Sequence, residues 1–151
     1  MLLWGCSRQR PAILAATSGP IVCELGARLT EEKVGCLRFV VEIRNSSVSN
    51  QFITEPMDGL TLKYFYRCLS PAEETFHSLL LPMDRTGGPE VIQLEPGRSV
   101  RHESILGMDP GDYEVYVQYV SRSKEPQTGV WLGEARSRGV LIHVPATPRK
   151  E

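Results

Sequence analysis

The chain has 151 residues, 41% of them hydrophobic, and its 17 Lys and Arg against 18 Asp and Glu leave a formal charge of −1. That is enough for one domain with a core of its own, without metal or disulfide staples, and it leaves no basic footprint for nucleic acid. A run of about 18 apolar residues, the minimum for a transmembrane helix, does not occur, and the uncharged stretch from Pro11 to Cys23 is interrupted by Thr17, Ser18, Gly19 and Pro20.

Residues Met1 to Cys6 read Met-Leu-Leu-Trp-Gly-Cys and resemble the end of a bacterial lipoprotein signal, with Leu3 and Gly5 ahead of a Cys that would carry lipid. The resemblance implies lipidation of Cys6 and a place in the cell envelope, in the periplasm or on the outer surface. Trp4 stands where that pattern prefers a small residue. The basic region and apolar stretch of such a signal would have to lie upstream. On this reading residues 1–20 are a flexible segment, a signal remnant or tether ahead of the domain. The other cysteines are Cys23, Cys36 and Cys68; no Cys-x-x-Cys pair and no His at finger spacing accompanies them, so no metal site is expected and they read as small buried hydrophobes.

From Ile21 the dominant period is two, the mark of strands with one buried face and one wet one. Ile21, Cys23, Leu25, Ala27 and Leu29 alternate with Val22, Glu24, Gly26 and Arg28, and Leu37, Phe39, Val41 and Ile43 alternate with Arg38, Val40, Glu42 and Arg44. With a polar turn between them, these segments predict a first hairpin. Arg44-Asn45-Ser46-Ser47 ends the ladder, since Asn and Ser side chains compete for backbone hydrogen bonds. A short strand over Gln51–Thr54 follows, then the turn Pro56-Met57-Asp58-Gly59. In the next strand Leu60, Leu62, Tyr64 and Tyr66 alternate with Thr61, Lys63, Phe65 and Arg67. Ser70-Pro71-Ala72-Glu73 has the spacing of a capping box with Pro at the first helical position, which predicts a helical turn before Pro82. Met83 to Pro89 reads as a loop. Val91–Leu94, a turn at Glu95-Pro96-Gly97 and Ser99–Leu106 resume the extended chain. The last strands are Tyr113–Ser121 and, after a polar loop from Arg122 to Thr128, Val130–Val144 with a break at Arg136 to Gly139. Seven or eight short strands so spaced predict a β-sandwich.

Asp109-Pro110-Gly111-Asp112-Tyr113-Glu114-Val115 carries the Asp-x-Gly-x-Tyr spacing and resembles the entry to strand F of immunoglobulin-like domains. The resemblance implies that Tyr113 makes a tyrosine corner, ring inward and hydroxyl bonded to backbone just upstream, with Asp109 and Gly111 shaping the turn. It implies an all-β fold, an immunoglobulin-like antiparallel β-sandwich of seven to eight strands over 21–145, with 146–151 a disordered tail. Val115 stands where antibody-type domains place a cysteine, and Gln51–Thr54, taken as strand C, lacks a Trp. The pattern is similar to generic bacterial envelope sandwich modules, which read Leu-x-Pro-Gly-x-Ser (Leu94 to Ser99), Pro-Gly-x-Tyr (Pro110 to Tyr113) and Trp-x-Gly (Trp131 to Gly133). A second likeness, through the Pro-Gly turn, is to the bacterial intracellular proteinase-inhibitor sandwich.

No catalytic motif emerges. His77, His102 and His143 share no metal-ligand spacing and read as surface or edge residues, and no Gly-x-Ser-x-Gly elbow occurs. Cys23 alternates with buried residues. Asp109 and Asp112 are too few carboxylates for a calcium cage. The candidate binding residues are aromatic: with Tyr64 and Tyr66 inward, Phe65 faces out beside Lys63 and Arg67, and Tyr116 faces out opposite Val115 and Val117. If their strands share a sheet, these form an aromatic and cationic patch fit for a protein or glycan, unless a helical turn or Leu79 to Leu81 covers it. Edge strands offer β-augmentation as a further mode. The expectation is therefore a non-enzymatic binding or structural module of the bacterial cell envelope, using no cofactor and touching a membrane only through a lipid anchor. The alternative is a cytoplasmic inhibitor-like or regulatory sandwich that presents the loops Ser70–Pro89 and Arg122–Thr128 to its target.

Overall fold

A computed structural model of the chain describes residues 12–30, 33, 35–79, 81, 89–122 and 129–146. Cys6, most of the expected tail and large parts of both long loops lie outside the described residues. Ten strands are present: β1 (Ile21–Leu29), β2 (Cys36–Asn45), β3 (Gln51–Thr54), β4 (Leu62–Cys68), β5 (His77–Leu79), β6 (Val91–Leu94), β7 (Ser99–Gly107), β8 (Gly111–Ser121), β9 (Gly133–Arg136) and β10 (Val140–Val144). The chain is all-β, every strand pair is antiparallel, and the described residues include no helix. The strands beyond the expected eight are β5 and the second half of the last strand, divided at 137–139.

Three sheets result. The first has the order β1-β2-β7, the second β10-β8-β4-β5 with β9 also on β8, and β3 pairs with β6 in a small third sheet. The predicted first hairpin is β1–β2, in register from Ile21 opposite Asn45 to Leu29 opposite Leu37. The strand beside β8 is β4, whereas Gln51–Thr54 lies opposite Val91–Leu94; the assignment of 51–54 as strand C is therefore corrected. The edges of β8 are already taken, by β4 on one side and by β10 and β9 on the other, and β3 pairs with β6 instead.

The first two sheets face each other across one core. Leu37, Phe39, Val41 and Ile43 come from β2, Leu62 and Tyr64 from β4, Val115, Val117 and Tyr119 from β8, all at 0% exposure. The rings of Phe39 and Tyr64 meet across the layers at 5.5 Å. Each such aliphatic or aromatic side chain contributes roughly 1.5–3 kcal/mol by leaving water. Asn45 ends β2 as expected: its Oδ1 accepts the Ser47 N–H at 2.9 Å and its Nδ2 donates to the carbonyls of Ser49 (2.8 Å) and Leu94 (2.9 Å).

The helical turn at Ser70 to Glu73 does not form. The Glu73 N–H donates to the Cys68 carbonyl at 2.9 Å and the Glu73 carboxylate accepts the Cys68 N–H at 3.2 Å, so the acidic residue closes the end of β4 rather than capping a helix. The Ser70–Pro71 peptide within this turn is cis.

Candidate functional site

Alternation sends Lys63, Phe65 and Arg67 of β4, and Asp112, Glu114, Tyr116 and Gln118 of β8, to the side of the second sheet away from the core. The register sets Phe65 opposite Tyr116, Lys63 opposite Gln118 and Arg67 opposite Glu114. Phe65 and Tyr116 are stacked, with centroids 4.9 Å apart and planes inclined by 15°. Two nearly parallel rings this close cannot lie side by side, so they stand on edge, each giving one face to the other. Phe76, ahead of β5, packs edge-on against Tyr116 at 4.8 Å and 77°, and the Arg136 guanidinium sits 6.0 Å from the centre of the Tyr116 ring. Burial raises the Tyr116 phenol above its ordinary pKa, with Arg136 opposing. Lys63 is exposed at the rim, while Phe65, Phe76 and Tyr116 are half-buried. The outcome is an aromatic ridge, not a flat platform.

Arg67 does not belong to an open patch. It points outward, but only 6% of its side chain is exposed, and it forms an ion pair with Glu114, whose side chain is 1% exposed. Its Nε donates to Glu114 Oε1 at 2.9 Å, and its guanidinium also stacks 4.7 Å from the Phe76 ring centre. The pair is covered by residues 12–18, which run across this face as a strap. Arg67 Nη2 donates to the Ala12 carbonyl at 2.9 Å, and the Leu14 N–H donates to Glu114 Oε2 at 2.8 Å. The strap continues to the 136–139 segment: the Gly139 N–H donates to the Leu14 carbonyl at 2.7 Å and the Thr17 N–H to the Arg136 carbonyl at 3.0 Å. The tether reading therefore does not extend to residues 12–18. What covers part of the face is this strap and Phe76, in place of the expected helical turn.

Tyr113 is buried, and its hydroxyl donates to the Asp109 carbonyl at 2.7 Å. Gly111, two residues earlier, has φ 152°, a backbone conformation that favours glycine, and its place beside the Tyr113 ring would leave a Cβ in ordinary contact at 3.5 Å. The Asp109 side chain itself is exposed.

A second polar group was not anticipated. His102 and Ser104 project inward from β7, and both meet Asp58, 5% exposed, in the turn before β4. His102 Nε2 lies 3.0 Å from Asp58 Oδ1, the Ser104 hydroxyl donates to Asp58 Oδ2, and Tyr64 Oη donates to Asp58 Oδ1 at 3.3 Å. Burial pushes the Asp58 carboxyl up, but the bonds from His102, Ser104 and Tyr64 and the His102 charge outweigh it and hold the group below its ordinary value. Of the reading of His102 as a surface or edge residue, the edge holds, since β7 ends its sheet, and the surface is corrected, with 19% of its side chain exposed; His77 and His143 do lie at the surface, on Glu73 (3.0 Å) and Asp112 (2.7 Å). In a nucleophilic triad the imidazole stands between hydroxyl and carboxylate. Here the carboxylate stands between them, and the group ties a turn to both sheets. The available signal was polar residues at inward positions of β7, between Val100 and Leu106. Among the described residues, no three His, Cys, Asp or Glu side chains gather as a metal site. The Cys23 thiol is buried and pushed up to about 12 by that burial, whereas Cys36 and Cys68 are half-buried.

No protein-family model matches this chain, and no curated protein is significantly similar to it. Among solved structures, one described as the ApaA protein from Bordetella pertussis is similar with TM-score 0.51 at 12% identity, covering 90% of this chain and 100% of that one. An X-ray structure of a Northeast Structural Genomics Consortium target gives TM-score 0.41 at 10% identity, over 87% of this chain and 90% of that chain. The first likeness concerns the fold alone.

Proposed function

We propose that the chain is an immunoglobulin-like sandwich serving as a non-enzymatic protein-binding module, with the ridge of Phe65, Tyr116 and Phe76 as its contact face. The sheet orders β1-β2-β7 and β10-β8-β4-β5 correspond to the A-B-E and G-F-C-C′ arrangement of such sandwiches, and the Tyr113 to Asp109 bond stands where the corner is expected. The observation that carries the functional reading is the stacked pair itself, with centroids 4.9 Å apart on the side of the sheet away from the core. A sugar ring stacks on an open aromatic face, and each of these rings already gives one face to the other, with Phe76 and Arg136 also against Tyr116. Ring edges beside Lys63 and Arg136 suit the aliphatic and acidic side chains of a protein, and aromatic residues with Arg are enriched where interfaces carry their energy.

The test compares the wild-type chain with a Phe65→Ala, Tyr116→Ala double variant of matching circular dichroism as baits, with polysaccharides and proteins offered separately. Protein retained by the wild type and released at least about tenfold more readily by the variant, a difference of about 1.4 kcal/mol, is the expected outcome. Equal retention by both baits overturns the assignment of the ridge, and retention of polysaccharide lost in the variant moves it to a glycan.

A further inference from the structure

We propose that the seat of residues 12–18 is a docking groove for an extended peptide segment of a partner protein, which the chain's own strap fills as a stand-in. The proposal deepens the binding-module reading and rests on it for the existence of a protein partner. Its basis is how the strap is held. Arg67 Nη2 reads the Ala12 carbonyl, Glu114 Oε2 reads the Leu14 N–H, the Gly139 N–H reads the Leu14 carbonyl, and Arg136 reads the carbonyl of Ala15 (3.2 Å) and the N–H of Thr17. Apart from the Thr17 hydroxyl, which accepts the Arg136 N–H at 2.8 Å, these contacts address main chain. Any segment that follows the same backbone path offers the same groups, whatever its side chains. The strap's side chains add little: Ala12, Ile13, Ala15 and Ala16 are exposed and Leu14 is half-buried.

The groove nonetheless requires an occupant. Arg67 and Glu114 are sequestered charges, and lifting the strap would leave a guanidinium N–H and a carboxylate oxygen without their present partners, a state that buried ion pairs tolerate poorly. Beside the strap lies a cavity of about 800 Å³ between Ile13 and Leu141, and these two are 45% and 57% exposed. Of the strap, Ala12 and Ile13 line that space, which leaves room there for a side chain larger than Ala12. The recognised class is thus an extended segment with a free N–H at the position of Leu14 and apolar side chains toward Leu141.

The test uses the full chain and a synthetic probe, Ala-Ile-Leu-Ala-Ala-Thr-Ser, the sequence of residues 12–18. Leu14→Pro deletes the N–H that Glu114 accepts and releases the strap. This variant is expected to bind the labelled probe, and a probe N-methylated at the Leu amide is expected to bind at least about tenfold more weakly, the step that 1.4 kcal/mol makes. A strap tethered in the same chain competes at an effective concentration on the order of mM. In the unmodified protein, probe above that range should therefore speed hydrogen exchange at the Leu14 amide while the Gly139 amide stays protected by the probe's carbonyl. This second measurement stands even if Leu14→Pro fails to fold. Exchange that rises at both amides, or no binding to a folded Leu14→Pro chain, overturns the proposal, as does equal binding of the methylated probe. Concentration-dependent dimers in which the strap enters a second copy, with no probe binding, overturn it as well. Because the probe is not the partner, failure here leaves the ridge test of Phe65 and Tyr116 unaffected, and the reverse.

Discussion

Tyr113 holds the turn between β7 and β8 by one bond from its hydroxyl to the Asp109 carbonyl at 2.7 Å, with the rest of its ring buried. Tyr113→Phe keeps the ring and removes the donor, leaving a backbone carbonyl short of a partner. A loss of about 1–3 kcal/mol is expected, read as a lower urea midpoint with an unchanged slope; an unaltered midpoint would show that this bond contributes nothing. The residue was legible because donor, acceptor and turn glycine lie within five consecutive positions. The Asp58 group was not legible in the same way. Ser104 lies 46 residues from Asp58, and Asp58 sits in a Pro-Met-Asp-Gly turn whose composition already explains an aspartate. Arg67 was placed on the correct side of its strand, but alternation reports direction and says nothing of what lies on top.

At the scale of elements, the strands of the hairpins were readable because a buried face imposes period two on β1, β2, β4 and β8, and a one-residue slip would expose all of it. β5 has three residues, too few to show a period. The capping-box spacing at Ser70 to Glu73 misled because the same residue types also close turns. The break between β9 and β10 has its own cause. Gly139 donates to the strap, and a Cβ there would fall 2.0 Å from Glu114 Oε2. That carboxylate is held by Arg67 and the Leu14 N–H, so it cannot swing away without breaking its other bonds. Gly139→Ala is therefore expected to destabilise by about 1–3 kcal/mol, as overpacking does, and to loosen the strap. The check is a lowered thermal midpoint together with faster hydrogen exchange at Leu14. A midpoint shift without that faster exchange would separate the glycine from the strap.

At the scale of the molecule, the Asp58 group matters because it joins β7 of one sheet, through His102 and Ser104, to Tyr64 of the other. Its proton balance is thus a property of global unfolding. Since the folded carboxyl lies below its ordinary value of 3.8, the unfolded state takes up protons first. The stabilisation is complete above that value and is lost as pH falls through the lower folded value. Urea midpoints measured from pH 7 down to pH 2 should therefore fall more steeply for the wild type than for Asp58→Asn, which begins lower at pH 7 because its amide faces hydrogen-bond donors. Parallel curves would remove Asp58 from the acid response. The strap, finally, has a consequence for the order of events during synthesis. Residues 12–18 leave the ribosome ahead of the whole domain, yet their seat is made of residues 67, 114 and 136–139. In vectorial synthesis, this early stretch of polypeptide must stay unplaced until residues 136–139, more than a hundred positions later, have emerged.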